Sequence, residues 1–370
     1  MIAYVRFAPR RFVWRISRNF SSSQPDSVNA NRSFMGLYEQ ITSEFKEGNL
    51  EKCVSLSEEA IQFAKQSEDV NWKDVAAVQL NMSHMLKLLS RSDDAKVVAK
   101  RALGTLDAHF SSCKPEVCHA LDVVAELCVE SGDLTEALSL TDRAIELKTR
   151  LFGLHCPQLA KTFNIRGALF LNQDNVAASR TEFLRALGVH VRALGSDRPF
   201  PIPIGITLSN IAGLMRRDTQ KLEDCVSLYR AVVESFSNAN SNGNDMWMEG
   251  NALCDLSESF IDVGSDANIQ EARECLTRAL HIFLTTRGID HPSTARATVL
   301  LQRTRTAGQN TVIAASNTGE EIVKNVINDL LEEAKILVPP KSSETRVSGD
   351  VLFLDRRGHV GHGHPHSPLF

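Results

Sequence analysis

Arg143-Ala144-Ile145 lies within Pro115 to Leu151, a segment whose second half opens with Gly132-Asp133-Leu134-Thr135-Glu136-Ala137. The same three-residue phrase returns as Glu59-Ala60-Ile61, Arg101-Ala102-Leu103, Arg185-Ala186-Leu187, Arg230-Ala231-Val232 and Arg278-Ala279-Leu280. The first four of these alanines are spaced 42 residues apart, a period that marks an array of supersecondary units. Thirteen residues after four of the six alanines stands a proline (Pro115, Pro157, Pro199, Pro292), while Lys73 and Asn244 hold that place in the other two. Proline has a fixed φ and no N–H to satisfy, so these positions predict helix starts. Seven residues before the alanines come Cys53, Ala95, Ala137, Ser179 and Ala272, all small, with Asp224 beside Cys225 as the exception. Small residues two turns apart let a neighbouring helix approach closely.

One amphipathic helix pair cannot bury its apolar face alone, so the units must stack into a solenoid. The phrase, the period and the segments Gly153-Leu154-His155-Cys156-Pro157 and Gly288-Ile289-Asp290-His291-Pro292 resemble tetratricopeptide repeats (TPR) of the kinesin-light-chain subtype. The likeness runs from residue 34 to about 311. The first repeat lacks the proline, and the fifth and sixth carry small insertions. The resemblance implies an all-α, right-handed superhelical solenoid of antiparallel helix pairs, with about six repeats and a C-terminal capping helix. It also implies a non-enzymatic binding surface in which the first helix of each pair lines a concave groove.

The ladder leaves room for helix pairs over 34–67, 73–110, 115–152, 157–194, 201–238 and 245–287, followed by a helix from Pro292 to about Ala307. After a polar break, the stretch 318–337 holds Ile322, Val323, Val326, Ile327, Leu330, Leu331 and Ala334 at amphipathic helical spacing. That is the expected cap, stopped by Pro339 and Pro340. Residues 338–370 are expected to form a disordered tail.

The first twenty residues have a different chemistry. Arg6, Arg10, Arg11, Arg15 and Arg18 alternate with Ile2, Val5, Phe7, Phe12, Val13, Trp14 and Ile16, and no acid occurs before Asp26. This is the make-up of a mitochondrial presequence, with Arg18-Asn19-Phe20-Ser21 resembling a matrix-peptidase site cut after Phe20. A Ser- and Asn-rich linker, 21–33, follows. Removing the five arginines takes the formal charge from −4 to −9, a balance unsuited to nucleic acid. The expected location is mitochondrial, in the matrix. No apolar run approaches the length of a membrane-spanning helix, so stable membrane insertion is not expected. Eight cysteines occur without a Cys-x-x-Cys pair, and Cys53, Cys128, Cys225, Cys254 and Cys275 fall where core packing is expected. The thiols are expected to be reduced.

The resemblance makes asparagines on the first helices candidates for gripping the backbone of an extended peptide. Asn81 and Asn210 share one register, 21 residues before their alanines, and Asn164 is one residue off it. Lys87, Arg166, Arg216 and Arg217 are nearby cations able to meet an acidic ligand. In the tail, His359, His362, His364 and His366 are close enough to chelate a divalent metal ion. Val351-Leu352-Phe353-Leu354, flanked by Asp350 and Asp355, forms an apolar island suited to adding onto a groove.

Phosphate-cradling loops, His-Glu-x-x-His helices and Gly-x-Ser-x-Gly elbows are missing from the sequence, so neither enzymatic activity nor a cofactor is expected. The function expected is a mitochondrial protein-interaction scaffold that binds a protein or extended peptide and assists assembly of a multisubunit complex. The alternatives are a metal-handling protein working through its histidine tail, and a cytoplasmic cargo adaptor resembling kinesin light chain. An organellar RNA binder would use shorter repeats and a basic groove.

Overall fold

The computed structural model describes residues 33–66, 71–110, 115–195, 197–239, 246–286, 288–289, 291–307, 328, 332, 352–354 and 360–362. The chain divides into two compact units, Met1–Val338 and Pro339–Phe370. In the first, six antiparallel pairs follow one another. They are α1 (Phe34–Lys46) with α2 (Leu50–Gln66), α3 (Trp72–Leu88) with α4 (Ser92–His109), and α5 (Pro115–Ser131) with α6 (Leu134–Phe152). Next come α7 (Gln158–Asn172) with α8 (Val176–Leu194), α9 (Ile202–Met215) with α10 (Leu222–Ala239), and α11 (Met246–Val263) with α12 (Asp266–Thr286). Helix α13 (Pro292–Ala307) follows alone. Each helix packs on the one before and the one after it, which makes an all-α solenoid of helix pairs.

Local chemistry sets the boundaries. The side chains of Ser33, Asn71 and Asn175 accept hydrogen bonds from the N–H groups of Gly36, Lys73 and Ala178, satisfying orphan donors at three helix starts. Turns within the first four pairs need one residue at positive φ, and Gly48, Ser90, Gly132 and Asp174 supply it at 42-residue intervals. Glycine adopts that conformation without steric cost, whereas Ser90 and Asp174 accept strain to keep the turn.

All six ladder alanines are at most 1% exposed. They lie in the contact between the two layers, where a larger side chain would push the helices apart. The small residues seven positions earlier are equally buried, and in the fifth pair Cys225 fills that place instead of Asp224. Close approach is carried further in three successive pairs. A Cβ added to Gly167, Gly205 or Gly250 would overlap the buried rings of Phe183, Phe236 or Phe283.

Residues 1–32, with the leader and most of the linker, lie outside the described residues. So does the expected cap, apart from Asn328 and Glu332, which are helical. The second unit is described only at six residues. Within the stretch expected to be disordered, β1 (Leu352–Leu354) pairs antiparallel with β2 (Val360–His362), Phe353 opposite Gly361. Leu-Phe-Leu favours extended backbone.

Candidate functional site: the inner wall of the helix stack

The odd-numbered helices touch one another as well as their own partners: α3 meets α5, α5 meets α7, α7 meets α9, and α11 meets α13. Such contacts between alternate helices place them on the inner side of the stack. Of the seven candidate residues for partner binding, Asn81 and Lys87 are on α3, Asn164 and Arg166 on α7 and Asn210 on α9, while Arg216 caps the C-terminus of α9 and Arg217 follows it.

The asparagines are 9%, 5% and 6% exposed. Asn164 Nδ2 donates to Thr207 Oγ1 at 3.0 Å, and Asn210 Nδ2 donates to Asn164 Oδ1 at 3.4 Å, so two of the three tie α7 to α9. Asn81 is different. Its side chain hydrogen-bonds the phenol of Tyr38 on α1.

Each candidate cation has a carboxylate partner. Lys87 Nζ donates to Glu126 Oε1 at 2.7 Å and to Glu130 Oε1 at 2.6 Å, both on α5. Lys161 of α7 reaches the other oxygen of Glu126 at 3.2 Å. Arg216 pairs with Glu258 and, at 3.1 Å, with Asp262. Arg296 of α13 reaches Glu258 at 3.0 Å and Asp255 at 2.7 Å. Arg166 pairs with Asp142 of α6 at 2.9 Å, and Arg217 with the exposed Asp174 at 3.1 Å.

These contacts form the same figure twice. A helix carrying a carboxylate pair at i and i+4 sits between two helices carrying cations: α5 between α3 and α7, and α11 between α9 and α13. The first carboxylate of each pair meets two cations and the second meets one. Burial disfavours the Glu126 carboxylate, but Lys87 and Lys161 outweigh it and hold the group at about 2. Glu258 is likewise lowered against burial by Arg296 and Arg216. In Glu130 and Asp262 burial wins, and both lie above the ordinary carboxylate value.

Deeper in the stack, Lys148 Nζ donates to Asp122 Oδ2 and to Thr162 Oγ1 at 2.6 Å each and to the Gln158 carbonyl at 3.0 Å. Thr162 in turn donates to Asp122 Oδ1 at 2.8 Å. Sequence reasoning missed this cluster. The signal available was a lysine in a helix stripe otherwise read as core.

The described cysteines are free thiols, all buried except the half-buried Cys275. Burial pushes Cys118, Cys225 and Cys275 up to about 11 and Cys128 up to about 12, which removes the thiolate needed for nucleophilic or metal chemistry. Cys128 has Asp133 and Glu136 beside it within 4.8 Å. Those carboxylates already bond Lys96 and Lys100, so with a protonated thiol the group does not suit a metal. Of the tail histidines, His362 lies in β2, while His359, His364 and His366 are outside the described residues. No described helix is long and apolar enough to cross a membrane.

Stacked antiparallel pairs with buried small residues at one register define a TPR-like helical-repeat protein. No family model and no curated protein matches the chain. Among solved structures, BtubC from P. vanneervenii is similar over 79% of this chain and 89% of its own, at 15% identity and TM-score 0.38. A kinesin light chain from Podosopora anserina, with nearly identical TPR-like repeats, is similar over 59% of this chain and 98% of its own (12% identity, TM-score 0.41). A Rap protein complexed with competence and sporulation factor covers 74% of this chain and 75% of its own, at 13% identity and TM-score 0.49.

Proposed function

We propose that the protein is a non-enzymatic interaction scaffold of mitochondria that holds an extended segment of a partner along the inner wall of its odd-numbered helices and assists assembly of a multisubunit complex. The observation that carries this reading is the doubled charge figure. It gives the wall half-exposed, geometrically fixed ionic groups over six of the seven odd-numbered helices, a surface matched in form to an extended chain. The location rests on the arginine-rich leader, and the assembly role on the pairing of that location with a repeat scaffold.

The test is recovery of the tagged protein from purified mitochondria with chelator and nuclease present. The reading expects a mature N-terminus at Ser21 and one partner in near-stoichiometric amount. That partner should be kept by Arg150→Glu, which alters an exposed pair on the even helix α6, and lost from Lys87→Glu. Recovery of a lone protein, or equal capture by both variants, would sink it.

A further inference from the structure

Helices α2 and α4 form the outer side of the first two repeats, and a cavity of about 450 Å³ lies between them over α3. Ile61, Met82, Leu86 and Val98 make its floor, and Val97, 54% exposed, stands at its rim.

The charges of this groove depart from those of the next one. Between α4 and α6, Arg143 pairs with Asp107, Lys100 with Glu136 and Lys96 with Asp133. Counted back by the 42-residue period, the first two of these pairs become Arg101 with Lys65 and Glu58 with Asp94. All four residues line the cavity. Each opposite-charge pair has thus become a like-charge pair, with two cations at one end of the groove and two carboxylates at the other. Asp94 has Arg91 at 2.8 Å, and Arg91 also reaches Glu51 of α2 at 3.6 Å. Glu58, Lys65 and Arg101 bond no opposite charge among the described residues. Like charges repel, so ion pairs do not draw α4 onto α2 along this stretch as they draw α6 onto α4.

Spacing selects the shape of the missing complement. On α2 and on α4 alike, the carboxylate and the cation are seven residues apart, which is about 10.5 Å along a helix. A third helix laid along the groove repeats that spacing on one face, with a base at i, apolar residues at i+3 and i+4, and an acid at i+7. An extended strand spans roughly 10 Å in three residues, and residues three apart point to opposite faces.

We infer that the groove between α2 and α4 is a docking site for an amphipathic helix of a partner protein. The acid of that helix sits between Lys65 and Arg101, its base meets Glu58 and Asp94, and its apolar residues cover Val97. The site is on the outer side of the stack, so the inference does not rest on the inner wall being a binding surface.

The experiment titrates the full chain against a fluorescent alanine-based peptide with Lys at i, Leu at i+3 and i+4, and Glu at i+7, read by anisotropy at low salt. A second peptide carries Lys at both ends, which sets a cation against Lys65 and Arg101 in either orientation. Wild-type protein should bind the Lys/Glu peptide about tenfold more tightly than the Lys/Lys peptide, the size of two partly exposed charge pairs. Lys65→Glu/Arg101→Glu should reverse the order. Equal binding of the two peptides by the wild type, or an order unchanged in the variant, overturns the proposal. So does equal binding of a Lys/Glu peptide with proline at its centre, which cannot form the helix.

If the all-acidic variant fails to fold by circular dichroism, Glu58→Lys/Lys65→Asp writes the charges of α4 onto α2. It pairs Asp94 and Arg101 across the groove, and should raise the urea midpoint while abolishing the peptide preference. A preference kept by this variant is equally fatal. Association of the peptide-free protein that grows with its concentration and is lost in the same variant would show a second copy in the groove, and overturns the partner helix.

Discussion

Lys148 with Asp122 and Lys87 with Glu130 are ion pairs of nearly identical geometry, each with an Nζ–O distance of 2.6 Å. Their surroundings differ. The first pair is 3% and 5% exposed and encloses Thr162 between α5, α6 and α7. The second is 31% and 32% exposed on the inner wall. Taking charge out of water costs several kcal/mol per ion, so a buried pair holds a fold chiefly by the penalty for breaking it. A half-exposed pair keeps part of its hydration and can exchange partners cheaply. The same chemistry therefore fixes the third and fourth repeats in one place and offers a replaceable contact in another.

The comparison breaks most visibly at the buried end. Lys148→Met leaves the Asp122 side chain in the core without its cation, and about 3–5 kcal/mol of stability should be lost. Removing the whole set, as Lys148→Met/Asp122→Leu/Thr162→Val, should restore most of it, since an apolar set of similar volume carries no desolvation cost. Urea unfolding of the single and triple variants decides the matter. A single variant costing under about 1 kcal/mol would put the buried pair in the same class as an exposed one.

A smaller effect is expected where burial alone, without charge, sets the cost. Ala144 is fully buried at the ladder position, so Ala144→Phe should overpack the contact and cost about 1–3 kcal/mol. The control is Val97→Phe on the exposed face of α4, expected to stay within about 0.5 kcal/mol. Equal midpoints in thermal unfolding would undo the register on which the helix pairs are built.

That register was the legible part of the sequence. The alanine phrase and the helix-starting prolines repeat at fixed spacing, and fixed spacing survives without knowledge of the third dimension. Where a local residue departs from the pattern, the signal fades. Ser90 and Asp174 hold the turn that Gly48 and Gly132 hold, and neither marks a positive φ as plainly as glycine does. Cys225 replaces Asp224 by a one-residue shift.

The wall was legible by helix and not by contact. Lys87, Arg166, Arg216 and Arg217 stand in the sequence as cations able to meet an acidic ligand, their carboxylates unnamed until a pairing rule between repeats is applied. Ionic partners on neighbouring repeats are separated by 36 residues in Lys100–Glu136, Arg143–Asp107 and Arg198–Glu234. They are separated by 41–43 in Arg230–Glu271, Arg216–Glu258, Lys87–Glu130 and Arg217–Asp174. Both spacings follow from a 42-residue period and were open to view once the period was known. The buried Lys148 cluster mixes separations of 14, 26 and 40, and no single offset would have found it.

The smallest effect sharpens the other side of the comparison. Lys87→Met should lower stability at pH 7 by about 1 kcal/mol, the range for a partly exposed pair; its signature is that this loss fades in acid. Glu126 is lowered from 4.5 to about 2 because Lys87 and Lys161 outweigh the cost of burying its charge. A carboxylate with a depressed folded value contributes stability that is complete above about pH 4.5 and is lost as pH falls toward 2. Glu130 is raised, by burial first, so its ionised form costs stability and protonation relieves it. Its sign opposes that of Glu126 in the same range. Removing Lys87 takes a cation from both and raises both, so the loss of stability should be largest above about pH 4.5 and shrink as pH falls toward 2. Urea midpoints measured from pH 2 to 7 read this directly. A variant that loses stability equally at every pH would show that Lys87 acts by packing its stem, and the wall pairs would then belong with the buried ones.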